Sequence, residues 1–156
     1  MKQKICTESP NQDNCEIDFS KSFKSNILTK NKELKVNEIS ALLSSSNFND
    51  LIGEISVNNK SDTTSRSEQE YINEINNISN ELSGVYQSRI ACDDDLCALT
   101  VNVANETAWN NFKKQFFKKD TSKGNTFIRL GTPQNNETEN RILFFPGNTN
   151  AIVQQK

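Results

Sequence analysis

The chain contains no histidine. Triads of the Ser-His-Asp and Cys-His kind are therefore excluded, as is any zinc site with imidazole ligands. Glycine is scarce, five in 156 residues, and it never forms a G-x-G-x-x-G or Walker pattern, so the common phosphate loops are missing. No run of 18 apolar residues occurs, so no transmembrane helix is expected. Met1-Lys2-Gln3-Lys4 resembles the charged start of a signal peptide, but Ile5-Cys6-Thr7-Glu8-Ser9-Pro10 is no hydrophobic region for one. Nor does charge of one sign dominate. A net charge of -2 lacks the signature of a fully disordered chain. It also removes whole-protein attraction to nucleic acid or to an anionic membrane.

Apolar residues are short as well, at 33%, against roughly 45–50% in ordinary globular domains. Asparagine (23) and serine (16) fill the deficit. The shortage is uneven: positions 71–117 hold 22 hydrophobic residues in 47 positions, an ordinary core density. The length fits one domain, or one domain with an attached segment.

What the chain does have is four cysteines in two close pairs, Cys6/Cys15 and Cys92/Cys97. An even count in a small polar chain favours disulfides and an oxidising compartment. Residues 85–92 and 96–103 read as strands around the turn Asp93-Asp94-Asp95. Alternation places Cys92 with Ile90 and Tyr86 on one face, and Cys97 with Leu99, Val101 and Val103. Both cysteines thus point to the apolar side of a short hairpin, within bridging range. Closing so short a loop should add about 2–3 kcal/mol in the chain-entropy model. A thiolate metal site is the competing reading, but neither pair has Cys-x2-Cys spacing. A reactive thiol is disfavoured by the neighbouring carboxylates, which suppress thiolate. No metal and no cofactor are expected. Disulfides without a leader are read as a mature form, with a lipidated or membrane-tethered parent equally open.

Along the chain, residues 1–18 form a polar extension looped by Cys6 and Cys15. Residues 19–56 form a helical segment: Phe19, Phe23 and Ile27 recur behind Asp18, and Asn37 is placed to cap a helix with Ile39, Leu42 and Leu43 inward. Ser44-Ser45-Ser46-Asn47 breaks it before Leu51, Ile52 and Ile55. Residues 57–66 have no periodicity and read as a flexible linker. The module at 67–147 opens on the capping box Ser67-Glu68-Gln69-Glu70. Tyr71, Ile75, Ile78 and Leu82 then form one helical stripe, ended by Gly84. After the hairpin, Asn105 caps a helix from Glu106 to about Lys119, with Ala108, Trp109, Phe112 and Phe116 facing the core. Strands at 126–130 and 141–145 follow, and 148–156 read as a tail. The order helix-strand-strand-helix-strand-strand predicts an α+β module with an antiparallel sheet, preceded by a helical N-terminal segment.

Few residues single out chemistry. Three consecutive Asp point in different directions and suit calcium poorly, so Asp93-Asp94-Asp95 reads as a solvated hairpin tip that discourages edge pairing. Lys113, Lys114, Lys118, Lys119, Lys123 and Arg129 make a basic run opposed only by Asp120. Its bland reading is a solvated helix face whose C-terminal lysines complement the dipole. Its functional reading is a surface of Lys113, Lys114, Phe117 and Lys118 for an anionic protein, glycan or headgroup. Phe144-Phe145 places aromatics on both faces of the last strand, so both faces need cover from the chain or from a partner. The sequons at Asn59, Asn77, Asn105 and Asn136 are discounted as products of the asparagine content. Scattered acids leave a carboxylate-dependent glycan hydrolase open but single out no pair.

The stretch Leu82-Ser-Gly-Val-Tyr-Gln-Ser-Arg-Ile-Ala-Cys92-Asp-Asp-Asp-Leu96-Cys97-Ala-Leu-Thr-Val, followed by Trp109, resembles small exported proteins of Gram-negative bacteria. In those, a helix precedes a Cys-x4-Cys hairpin ending in Leu-Cys, and a second helix and further strands follow. The resemblance implies periplasm or cell envelope and no particular activity. The acidic turn departs from the pattern, and the Cys6/Cys15 loop lies outside it. The expectation is a periplasmic or secreted, disulfide-stabilised interaction module, partnered by another protein or envelope component and not by nucleic acid. A glycan hydrolase or a secreted effector is the alternative.

Overall fold

The computed structural model describes residues 6, 15–20, 24–118, 123–146 and, as backbone alone, 151–152. The chain is α+β as its element order predicts. Strands β2 (Val85–Cys92), β3 (Cys97–Val103), β4 (Asn125–Arg129) and β5 (Thr138–Phe145) form one antiparallel sheet in the order β2-β3-β5-β4. Helices α4 (Asp62–Glu81) and α5 (Glu106–Phe116) cover one face, while α1 (Lys24–Ile27), α2 (Val36–Leu43) and α3 (Phe48–Ser56) pack on the other.

Alternation along the strands divides the core in two. Cys92, Cys97, Leu99, Val101, Val103, Ile142 and Phe144 meet Tyr71, Ile75, Trp109, Phe112 and Phe116 on the α4/α5 side. Ala91, Ala98, Leu143 and Phe145 meet Ile39, Leu42, Phe48, Leu51 and Ile55 on the other. Phe144 and Phe145 are both fully buried, so the chain itself covers both faces of that strand. Arg141 strengthens the junction, donating to the carbonyls of Leu43 and Ser45 at 2.9 and 2.6 Å and lying over the Phe48 ring. It thereby satisfies carbonyls at the end of α2 that the helix cannot.

Local chemistry explains most elements. Asn105 Oδ1 accepts from the Ala108 N–H at 2.9 Å, capping α5. Gly84 has φ 84°, and a Cβ there would crowd Ala108 and Ala104. Asn135 and Asn136, both at positive φ, turn the chain between β4 and β5.

Several expectations are corrected. Residues 57–66 are not a linker throughout: α4 begins at Asp62, where the Ser61 hydroxyl accepts from the Thr64 N–H. The Ser67 capping box is therefore mid-helix, and Glu68 instead accepts from the Cys92 N–H and pairs with Lys60. Neither N-cap residue, Lys35 of α2 or Asn47 of α3, caps its helix through its side chain; α2 starts at Val36, with Asn37 inside it. Asn47 instead grips the backbone of Ile17 through both its amide atoms. Among the described residues, the helix expected behind Asp18 is the single turn Lys24–Ile27, and Asp18 accepts from the Ser20 N–H and hydroxyl in a turn of its own. Phe23 lies outside the described residues. Tyr86 is exposed and Val85 buried, the reverse of the strict alternation. A bulge between Val85 and Ser88 shifts the register by one residue and turns the strand end over. The last segment is not wholly a tail: Ala151–Ile152 (β6) pairs in parallel with Leu34–Lys35 (β1). The rest of 148–156 lies outside the described residues.

Candidate functional site

Cysteines are paired as expected, Cys6 with Cys15 and Cys92 with Cys97. The second disulfide ties the ends of the hairpin, directly beneath the turn Asp93-Asp94-Asp95. That turn is not solvated throughout: Asp94 is exposed, but its neighbours are engaged. Asp93 is 4% exposed; its carboxylate takes Lys24 Nζ at 2.7 Å, the Asn58 amide, and the N–H groups of Asp95 and Leu96. Asp94 accepts from the Ser61 N–H and the Thr64 hydroxyl at the N-terminus of α4, where a negative charge also suits the helix dipole. Asp95 receives Lys24 at 3.0 Å and Lys32 at 3.4 Å. The triple aspartate is thus a node joining the hairpin to α1 on one side and to α4 on the other.

Its titration has a definite sign. Hydrogen bonds from Thr64 and Ser61 hold Asp94 below the ordinary carboxylate value. Burial pushes Asp95 up, but the hydrogen bond and charge of Lys24, with those of Lys32, outweigh it and hold the group low. Burial pulls Lys24 down, and its bonds to Asp93 and Asp95 more than reverse this, leaving it raised. Depressed carboxylates stabilise the fold above their unfolded pKa and lose that contribution as pH falls through the folded value; the raised lysine loses its contribution only in alkali, above its ordinary range. The urea midpoint is therefore expected to hold steady through neutral pH and fall below about pH 4. An Asp94→Asn/Asp95→Asn variant should start lower and show a flatter acid limb, and an unchanged acid limb would contradict the node.

The basic run separates into unlike parts. Lys123 is 3% exposed, not solvated: its ammonium sits 4.5 Å from the Phe116 ring centre and 3.3 Å from Glu74. Lys119 and Asp120 lie outside the described residues. Phe117 is half-buried and turned inward, edge-on to Phe116 and Phe144. Lys114 and Lys118 are exposed, and neither makes an ion pair among the described residues. Lys113 lies over the Trp109 ring, 5.5 Å from its centre.

Lys113 and Trp109 lead to the feature that sequence reasoning missed. The α4/α5 layer stops short of β4. On the sheet face shared with the buried Ile142, Ile128 is 41% exposed, and Leu130, continuing the alternation, is 62% exposed. Between Leu130, at the end of that strip, and α5 opens a cleft of about 590 Å³. Trp109, Asn110 and Lys113 form one wall, Leu130 and Gly131 the other, and the buried Asn140 contributes from β5. Asn140 Oδ1 accepts from the Gly131 N–H at 3.0 Å, holding the far wall against the sheet. Only glycine fits at 131, because a Cβ would run into the Glu139 carbonyl oxygen. The Trp109 Nε1–H is buried and has no acceptor among the described residues, an arrangement uncommon for a buried donor. Of the described residues lining the cleft, Glu106 alone carries a carboxylate. Ile128 and Leu130 could have been found by reading 126–130 as an edge strand with two apolar residues on its helix-facing side.

Fold and cleft define a disulfide-stapled α+β domain with an open, amide-lined groove beside its edge strand. No family model, curated protein or solved structure matches this chain. Among the described residues, no helix is long and apolar enough to cross a membrane.

Proposed function

We propose that this chain is an exported interaction module of the bacterial cell envelope, an adaptor, complex component or immunity-type inhibitor, which holds a partner protein at the α5 cleft. The observation that carries this is the uncovered apolar strip of Ile128 and Leu130 beside a cleft of about 590 Å³ lined by Trp109 and Lys113. Apolar anchors rimmed by amides and a cation are the composition of an interface centre. The two disulfides support an oxidising compartment, periplasmic or extracellular. A single lining carboxylate supports binding over glycoside hydrolysis, which needs two.

The surface first drawn from sequence is re-centred by one turn of α5. Lys113 belongs to it, Lys114 and Lys118 are not among its lining residues, and Phe117 packs against the core. A photo-crosslinking residue at 130 is expected to give one discrete adduct in the envelope of the producing cell. The same residue at Val57, at the end of α3 and 76% exposed, should give none. Leu130→Asp should weaken the captured partner at least tenfold, or about 1.4 kcal/mol, without moving the thermal midpoint. No adduct, or the same adducts from both positions, would sink the reading, and free thiols by non-reducing mass spectrometry would remove its compartment.

A further inference from the structure

A second cavity, also about 590 Å³, opens on the opposite side of the sheet between α1 and β1. Lys24, Lys30, Lys32 and Lys35 all line it, four of the chain's 18 basic residues in a protein whose net charge is -2. The acid in its lining is Asp95, already engaged by Lys24 and Lys32. Lys24 is further held by Asp93. Lys30 and Lys35 make no ion pair among the described residues.

The backbone here keeps its lysines in place. Thr29 bonds to Glu33 through its N–H and accepts from the Glu33 and Lys32 N–H groups, closing a tight turn that carries Lys30 and Lys32 on one rim. Lys32 itself adopts φ 62°. That left-handed conformation favours glycine or asparagine and is costly for a long side chain. A lysine at a positive-φ position, in a cavity that three others also line, is a feature that packing alone does not require.

From this we infer that the α1–β1 cavity binds a phosphate-bearing anion, either a small soluble phosphate or a lipid headgroup. Lysine ammonium groups bind phosphate as mobile point charges. With Lys24 and Lys32 close to Asp95, the carboxylate is the resident competitor for the arriving anion. The charge balance makes two opposite demands. Removing Asp95 must tighten binding, and removing Lys30 and Lys35 must loosen it.

The test titrates the intact, oxidised protein with inorganic pyrophosphate, and separately with phosphatidylcholine vesicles with and without phosphatidylglycerol. Binding to at least one anionic probe is expected, weakening as salt rises; which one binds identifies the source of the phosphate. Asp95→Asn should bind at least threefold tighter, and Lys30→Glu/Lys35→Glu at least tenfold more weakly. Lys30→Gln, at an exposed position, gives the same direction should the double variant misfold. Absence of binding to both probes, insensitivity to the lysine variants, or weaker binding by Asp95→Asn would each overturn the inference. The cleft beside α5 is untouched by these changes, so either site can fail without the other.

Discussion

A fragment beginning at Val57 is expected to fail to fold, although it contains every strand and helix of the predicted α+β module. Its sheet would expose the face that α1, α2 and α3 now cover. Leu143 and Phe145 are fully buried there, and Ala91 and Ala98 nearly so. Exposing a Leu or Phe of this kind costs about 1.5–3 kcal/mol each. Arg141 would lose both helix-end carbonyls, and Asp93 would keep its buried position without Lys24. Such losses are large against the roughly 5–15 kcal/mol by which a domain is stable. The fragment should show helical far-ultraviolet signal, no cooperative melt and strong binding of a hydrophobic dye. Adding the 1–56 peptide in trans should restore part of the transition. A sharp melt and dispersed amide resonances from the fragment alone would show that the first 56 residues are an accessory.

The second half of the chain was legible because its signals are local. Asn105 caps within three residues, Gly84 sits where a positive φ is needed, and the α5 stripe repeats at helical spacing. Each of these depends on neighbours along the chain. What escaped depends on partners far away in sequence. Asp93 looks solvated until Lys24 arrives from another layer, and Lys123 looks like a surface cation until Glu74, Tyr71 and Phe116 enclose it. The Val85 and Tyr86 reversal arises from a one-residue bulge, which alternation cannot reveal. The cleft shares this difficulty. Trp109 reads as an ordinary core residue and Leu130 as a strand end, and their juxtaposition follows from where α5 stops covering the sheet.

Asp93→Ala should be the most damaging single substitution in the hairpin, at about 3 kcal/mol. The carboxylate is the one member of the turn with a side chain almost wholly enclosed, 1% exposed. Alanine would leave the Asp95 and Leu96 N–H groups without their acceptor inside a turn that has no room to open. It would also leave a partly buried ammonium with Asp95 as its nearer remaining partner. Asp93→Asn keeps an oxygen for the two N–H groups and loses the charge, so it should fall between wild type and alanine. Asp94→Ala removes bonds at the fully exposed start of α4 and should shift the urea midpoint far less. The Cys92–Cys97 bridge still closes the hairpin in all three variants, so the loss at 93 reports the turn's own hydrogen bonds together with its docking on Lys24 of α1 and on Asn58, whereas alanine at 94 reports the docking of α4. Equal midpoints for the Asp93 and Asp94 alanine variants would mean that the burial of Asp93 and its bond to Lys24 add nothing beyond the exposed bonds of Asp94. A ranking of alanine at 93, asparagine at 93, then alanine at 94 would place the larger share of the node's stability at its one buried carboxylate.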